Sequence, residues 1–179
     1  MRIIGGKYKR RLIYWPMDPN IRPTKDRIRE AIFAALNDIE GKTFLDLYAG
    51  SGSMGLEAIS RGAKKVYFVD KGVPAIKCVT ENIKALNITE EYEILKMDDM
   101  DALNIFKEKG IQFDIIFLDP PYKEGQYEEV INYILDNNIV ASSGIIIAES
   151  DRQLIVNNPL INKEKQYKYG DILVTFYGV

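Results

Sequence analysis

The 179-residue sequence contains no histidine. That absence excludes Ser-His-Asp and Cys-His triads, histidine general bases and zinc sites that use imidazole. Cysteine occurs once, at Cys78, so no internal disulfide and no thiolate cluster can form, and no metal site is expected. Cys78 falls on an expected helix and reads as a small buried residue. Long apolar runs are also missing. The longest stretches, such as residues 145–148, are far too short to span a bilayer, and Gly5, Gly6 and Lys7 interrupt any apolar leader. No membrane partner is expected, and the cytoplasm is the default compartment. Chemistry here must run on carboxylates, lysines, tyrosines, backbone groups or a borrowed cofactor.

What is present suits a packed core on a charged surface, with 46% hydrophobic and 28% charged residues. The length fits one domain, 1–179, with residues 1–24 as a basic N-terminal hairpin and connector. Net charge is −2, which alone argues against a polyanion, but its distribution argues otherwise. Residues 1–29 hold nine basic side chains, Lys9, Arg10, Arg11, Arg22 and Arg27 among them, against Asp18 and Asp26. That end is therefore +7 and the remainder −9. Such asymmetry suggests a polyanion contact at the basic end. The plainer alternatives are a solvated basic face or an Arg-rich transit peptide; the latter is disfavoured because the segment reads as folded.

Residues 2–4, Gly5-Gly6 and residues 7–13 read as a hairpin whose glycines supply a tight turn. Thr24 stands where an N-cap belongs, and Ile28, Ala31, Ile32, Ala35 and Leu36 recur at helical spacing. The pattern predicts a helix over 25–37 with Arg27 and Arg29 projecting away from the apolar stripe. Strands are then expected over 43–47, 65–69, 92–97, 113–118 and 144–149, alternating with helices over 55–61, 74–86, 102–109 and 127–136. Strand–helix alternation implies parallel βαβ units buried on both faces. Residues 163–169 and 171–177 flank Gly170 with no room for a helix and should pair antiparallel at the sheet edge. The expected architecture is α/β: a Rossmann-like, doubly wound, mostly parallel seven-stranded sheet with a terminal antiparallel hairpin, plus a small N-terminal β-hairpin. Ligands are expected at the carboxyl ends of the strands. The small size and the scarcity of spare apolar segments point to a monomer.

Gly50, Gly52 and Gly55 satisfy G-x-G-x-x-G after the first sheet strand, and Asp70 ends the next. Taken alone this fits a nicotinamide or flavin dinucleotide site. Asp46 separates that option from other adenosine cofactors, because a carboxylate at the strand end repels a pyrophosphate. S-adenosylmethionine carries no phosphate, and its ammonium and sulfonium are cationic. Asp46 would attract its amino-acid end, Asp70 would take the ribose hydroxyls, and Asp98, or Asp99 beside it, would accept from the adenine amino group. A helix N-terminus is the competing role for Asp98 and Asp99.

Asp119-Pro120-Pro121-Tyr122 follows the fourth strand. Two prolines fix the backbone, so the Asp119 carboxylate and the Pro120 carbonyl can be neighbouring acceptors. Two acceptors side by side suit an amino group on a planar ring or carbonyl, whose delocalised lone pair makes it a poor nucleophile. Hydrogen bonds from both N–H groups would favour a pyramidal nitrogen and push that lone pair toward an electrophilic methyl. Tyr122 offers a face on which an extruded base could stack. A tight turn with an ordinary packing aromatic is the alternative.

These residues resemble a class I S-adenosylmethionine-dependent methyltransferase of the amino-methylating type. Residues 2–6 (RIIGG), 22–30 (RPTKDRIRE), 45–52 (LDLYAGSG) and 119–122 (DPPY) together resemble the RsmD family, whose members methylate N2 of a guanine in small-subunit ribosomal RNA. The similarity runs from the first residues to the terminal hairpin. It implies that Asp46, Gly50, Gly52 and Asp70 contact the cofactor, with Asp98 near the adenine. It implies further that Asp119, Pro120 and Tyr122 hold the target amino group and base, and that the hairpin and residues 22–29 bind RNA, free or in a small ribosomal subunit. Rival readings are methylation of adenine N6, cytosine N4 or a protein glutamine amide, an NAD-dependent oxidoreductase, and a non-catalytic RNA-binding protein. Asp rather than Asn at 119 lowers the glutamine option, and Asp46 with the lack of histidine opposes the oxidoreductase.

Overall fold

The structure is a computed structural model that describes all residues except 17, 20–23 and 122–124. Among the described residues seven strands form one sheet: β1 Thr43–Leu47, β2 Lys65–Asp70, β3 Glu91–Lys96, β4 Phe113–Leu118, β5 Val140–Ser150, β6 Lys163–Tyr169 and β7 Ile172–Gly178. Their order is β3-β2-β1 among residues 43–96 and β4-β5-β7-β6 among residues 113–178. The α/β, mostly parallel sheet with a terminal antiparallel pair is as expected. Among the described residues five helices accompany it: α1 Asp26–Leu36, α2 Ser53–Ser60, α3 Val73–Leu86, α4 Asp99–Lys109 and α5 Gln126–Asp136. The chain divides into two compact units, Met1–Asp99 and Met100–Val179.

In the first unit β1 pairs parallel with β2, and β2 with β3. Phe44, Leu45, Leu47, Val66, Phe68 and Val69 are buried, each worth about 1.5–3 kcal/mol of apolar transfer if an aliphatic or Phe side chain is fully covered. Every residue of α2 is buried, its polar Ser53, Glu57 and Ser60 included, and the N-terminal segment covers that side, with the Ile4 N–H donating to Glu57 and the Tyr8 N–H to the Ser60 hydroxyl. Close packing demands a glycine there. A Cβ on Gly55 would stand 2.3 Å from Phe68 Cε1 in β2. Strand β3 departs from the expectation of burial on both faces, because it is the sheet's edge and its side chains are exposed or half-buried.

The N-terminal segment also differs from expectation. Arg2 and Leu12 form an isolated antiparallel bridge, with the Ile3 N–H donating to the Arg11 carbonyl (3.0 Å) and the Ile13 N–H to that of Met1 (2.9 Å). The Arg10 N–H also donates to the Ile3 carbonyl (2.8 Å), so the antiparallel pairing is as expected, but the reversal between the two arms of this strap is a broad loop rather than a tight Gly-Gly turn. Gly6 (φ +77°) is needed for close approach instead. A Cβ on it would lie 1.8 Å from the Ser60 carbonyl oxygen, to which the Lys7 N–H donates at 2.7 Å. In α1 the N-cap position is Lys25, with no side-chain cap bond, and Thr24 is buried before it. Arg29, expected on the exposed face, is fully buried.

In the second unit β4 pairs parallel with β5, which pairs antiparallel with β7, and β7 with β6. Phe113, Ile115, Ile116, Phe117 and Leu118 make β4 apolar throughout its core-facing length. Helix α5 buries Tyr127, Val130, Ile131, Ile134 and Leu135, a 3.6-residue stripe, and the Tyr127 hydroxyl donates to the Glu149 carbonyl at 2.8 Å. Among the described residues no helix is long and apolar enough to cross a membrane.

Candidate active site

The loop after β1 is built on positive-φ backbone. Gly50 (φ 57°) and Gly52 (φ 81°) adopt it at no steric cost, while Tyr48 (φ 71°) is held there as its own N–H and that of Ala49 both donate to the Val69 carbonyl (3.0 and 2.8 Å). Gly52 is also the N-cap of α2, and a Cβ on it would meet Val79 at 3.0 Å.

Two carboxylates organise this loop. Asp70, at the end of β2, accepts from the Gly50 N–H on one oxygen (2.9 Å) and from the Gly72 N–H on the other (2.8 Å). Asp46 is buried in β1 and accepts from the Gly55 N–H in the first turn of α2 at 2.9 Å. Burial raises Asp46 to about 8, with the Gly55 N–H opposing the shift and the nearby Asp70 charge adding to it. Amides at a helix N-terminus ordinarily serve an anion such as phosphate. Here one of them is already committed to the protein's own carboxylate. The loop is therefore set up for a ligand group that is neutral or cationic.

Of the two acids after β3, Asp98 is exposed, its carboxylate 4.0 Å from the Lys71 ammonium. Asp99 begins α4 and accepts from the Tyr48 hydroxyl at 2.5 Å, which ties it to the glycine loop. The Tyr48–Asp99 pair left no signal in the sequence, since fifty-one positions separate the partners.

Asn82 is a second functional candidate that the motifs do not mark. Its side chain accepts from the Tyr14 N–H (2.8 Å) and donates to the Tyr14 carbonyl (2.8 Å) and to the Ser51 carbonyl of the glycine loop (3.0 Å). It lies in the buried stripe of α3 with Ala75, Cys78, Val79, Ile83 and Leu86, and an amide in an apolar stripe was the available signal. Cys78 is buried as expected and its thiol donates to the Tyr14 carbonyl at 3.1 Å.

In the second unit Asp119 directly follows β4 and is half-buried, and Pro120 is buried. Tyr122 lies outside the described residues, as does Arg22 of the basic segment. Lys9, Arg10 and Arg27 are exposed and form no ion pair with any described residue. Arg11 is exposed too, but its guanidinium donates to the Ala85 carbonyl at 2.9 Å near the end of α3.

Known proteins share this sequence pattern and fold. Ribosomal RNA small subunit methyltransferase D of Escherichia coli (strain K12) is 34% identical over 152 residues, 84% of this chain and 75% of that one. The protein of the same name from Haemophilus influenzae is 32% identical over 166 residues, 92% of this chain and 83% of that one. A solved structure, a hypothetical protein of Thermus thermophilus, superposes with a TM-score of 0.83 at 27% identity, covering 100% of this chain and 99% of the other. The family model described as Conserved hypothetical protein 95 matches residues 1–178, and this chain belongs to that family, the RsmD family.

Proposed function

We propose that this chain transfers a methyl group from S-adenosylmethionine to the exocyclic N2 of a guanine in small-subunit ribosomal RNA. The observation that carries the choice of cofactor is the Asp46–Gly55 bond. A dinucleotide needs the α2 amides for its pyrophosphate, and a carboxylate already takes one of them. S-adenosylmethionine fits the same feature, since it carries no phosphate and its ammonium and sulfonium outweigh its single carboxylate. The relatives' names supply the acceptor, small-subunit ribosomal RNA.

Asp46 would stabilise the amino-acid end of the cofactor, the backbone of Gly50 and Gly52 would let it approach, and Asp70 would accept from the ribose hydroxyls. Asp98 would receive the adenine amino group, with Asp99 as the alternative. The cofactor supplies an electrophilic methyl on a sulfonium. Asp119 and the Pro120 carbonyl accept the two N–H bonds of the guanine amino group, which turns its lone pair out of the ring plane. Tyr122 stacks on the extruded base. Orientation and pre-placed acceptors would then provide the catalysis, with no histidine and no metal required: the amino group gives up one proton to the Asp119 carboxylate as it takes the methyl, and the donor is left as a neutral thioether. Lys9, Arg10, Arg11, Arg22 and Arg27 hold the RNA backbone. The protein works as a cytoplasmic monomer on ribosomal RNA or an assembled subunit.

Incubation with labelled S-adenosylmethionine and under-methylated small subunits, followed by nucleoside analysis, tests this reading. N2-methylguanosine is the expected product. A different methylated base would keep fold and cofactor and overturn the acceptor.

A further inference from the structure

We propose that Trp15, with Tyr14 beside it, is a stacking platform for unpaired bases of the RNA substrate. This rests on the RNA reading above and adds a base contact to its phosphate contacts. Trp15 is the only tryptophan in the chain, yet it is 54% exposed, and Tyr14 is 59% exposed. Large aromatics ordinarily bury their faces.

The backbone beneath these rings is not loose. Ile13 is buried and its N–H donates to the Met1 carbonyl. Asn82 holds both the N–H and the carbonyl of Tyr14, and the same amide group reaches the Ser51 carbonyl of the glycine loop. The Cys78 thiol adds a third bond at Tyr14, to its carbonyl. A pinned backbone thus carries two uncovered rings, and the pin is shared with the loop assigned to the cofactor. A backbone so held is in place before any ligand arrives, which lowers the entropic cost of binding.

Charge identifies the occupant. Residues 1–16 contain Arg2, Lys7, Lys9, Arg10 and Arg11 and no acidic residue. Cations for a phosphate backbone next to flat apolar faces are the two components of single-stranded nucleic acid binding. A cationic or neutral protein surface would be repelled or unassisted by this segment. Asn82 acts as the positioning residue, since its amide bonds the strap backbone and the glycine loop.

The single tryptophan makes the test direct. A short fluorescein-labelled single-stranded RNA is titrated by anisotropy, and in parallel the unlabelled RNA is titrated while Trp15 emission is followed. Quenching over the same concentration range is expected, with none from inorganic polyphosphate. Trp15→Ala should weaken RNA binding about tenfold, within the usual range for loss of one base–aromatic stack. It should leave cofactor affinity, melting temperature and the salt slope unchanged, because no phosphate contact is lost. Trp15→Phe should restore most of the affinity. RNA binding without quenching, or parental affinity in Trp15→Ala, would overturn the platform while the RNA reading stands. Absence of RNA binding by the parent protein would overturn both.

Discussion

Arg29 of α1 and Glu57 of α2 form an ion pair in which both side chains are fully buried, with Nε 3.6 Å from Oε1. The pair fastens the N-terminal strap. Glu57 accepts from the Ile4 N–H (2.9 Å) and the Gly5 N–H (3.4 Å), while the Arg29 guanidinium donates to the Arg2 carbonyl and the Met1 sulfur. Removing Arg29 leaves the buried Glu57 carboxylate with only the longer Arg61 contact (3.9 Å) and the strap amides. Arg29→Ala is expected to cost about 3–5 kcal/mol of stability. Its urea midpoint should fall accordingly, and trypsin should cleave the strap faster. A midpoint within error of the parent would show the pair to be dispensable.

Asp119→Ala should abolish methyl transfer and leave S-adenosylmethionine affinity within about twofold of the parent, because its proposed bond is to the acceptor and not to the donor. Single-turnover rates and calorimetric titration separate the two effects. Equal losses of both would contradict the assigned role.

Asp46 sets stability against function. Burial raises its carboxyl to about 8 in the folded chain, so the folded state holds a proton that the unfolded chain releases near pH 4. Stability from this group is therefore full below pH 4 and falls as pH rises toward 8. Asp46→Asn removes that loss and should stabilise the cofactor-free protein by about 1–3 kcal/mol at pH 8, with little change at pH 4. The same substitution should weaken S-adenosylmethionine binding. Chemical denaturation at the two pH values, with a cofactor titration, measures both. Destabilisation at pH 8 would contradict the account.

Lys9, Arg10 and Arg27 are exposed cations without an ion pair to a described residue. Changing all three to Ala should reduce the slope of log K against log salt by about 2, as expected for three lost contacts to single-stranded phosphates. Arg11 is left out because its bond to the Ala85 carbonyl gives it a structural role. Binding isotherms at several salt concentrations decide the matter.

In the second unit the Arg152 guanidinium donates to both oxygens of Glu128 (2.8 and 2.9 Å). That pairing lowers Glu128 to about 2, against partial burial that opposes the shift. A lowered carboxyl contributes stability above its unfolded value and loses it as pH falls toward 2. Glu128→Gln should cost about 1–2 kcal/mol at pH 7, discounted for the partial exposure of both partners. The difference from the parent should vanish near pH 2. A constant difference across this range would remove the pair from the acid response.

Apolar strands alternating with helical stripes allow few solutions, so the mostly parallel sheet and its terminal antiparallel pair were legible in the chain. Strands 113–118 and 163–169 fell on the structural bounds of β4 and β6. The positive-φ glycine loop after β1 was legible too, because it depends on local backbone chemistry. Which polar group satisfies which other was settled by packing between distant elements. Arg29 looked solvent-facing from helical spacing, yet the strap folds over α1 and buries it. Gly5-Gly6 looked like a turn, yet Gly6 is required by a carbonyl at Ser60, more than fifty residues away. Asp99 meets Tyr48, and Asn82 meets Tyr14 and Ser51, through pairs of elements far apart along the chain. A periodicity reports which face of an element is covered. It carries no record of the partner that covers it, and that partner set the roles of these residues.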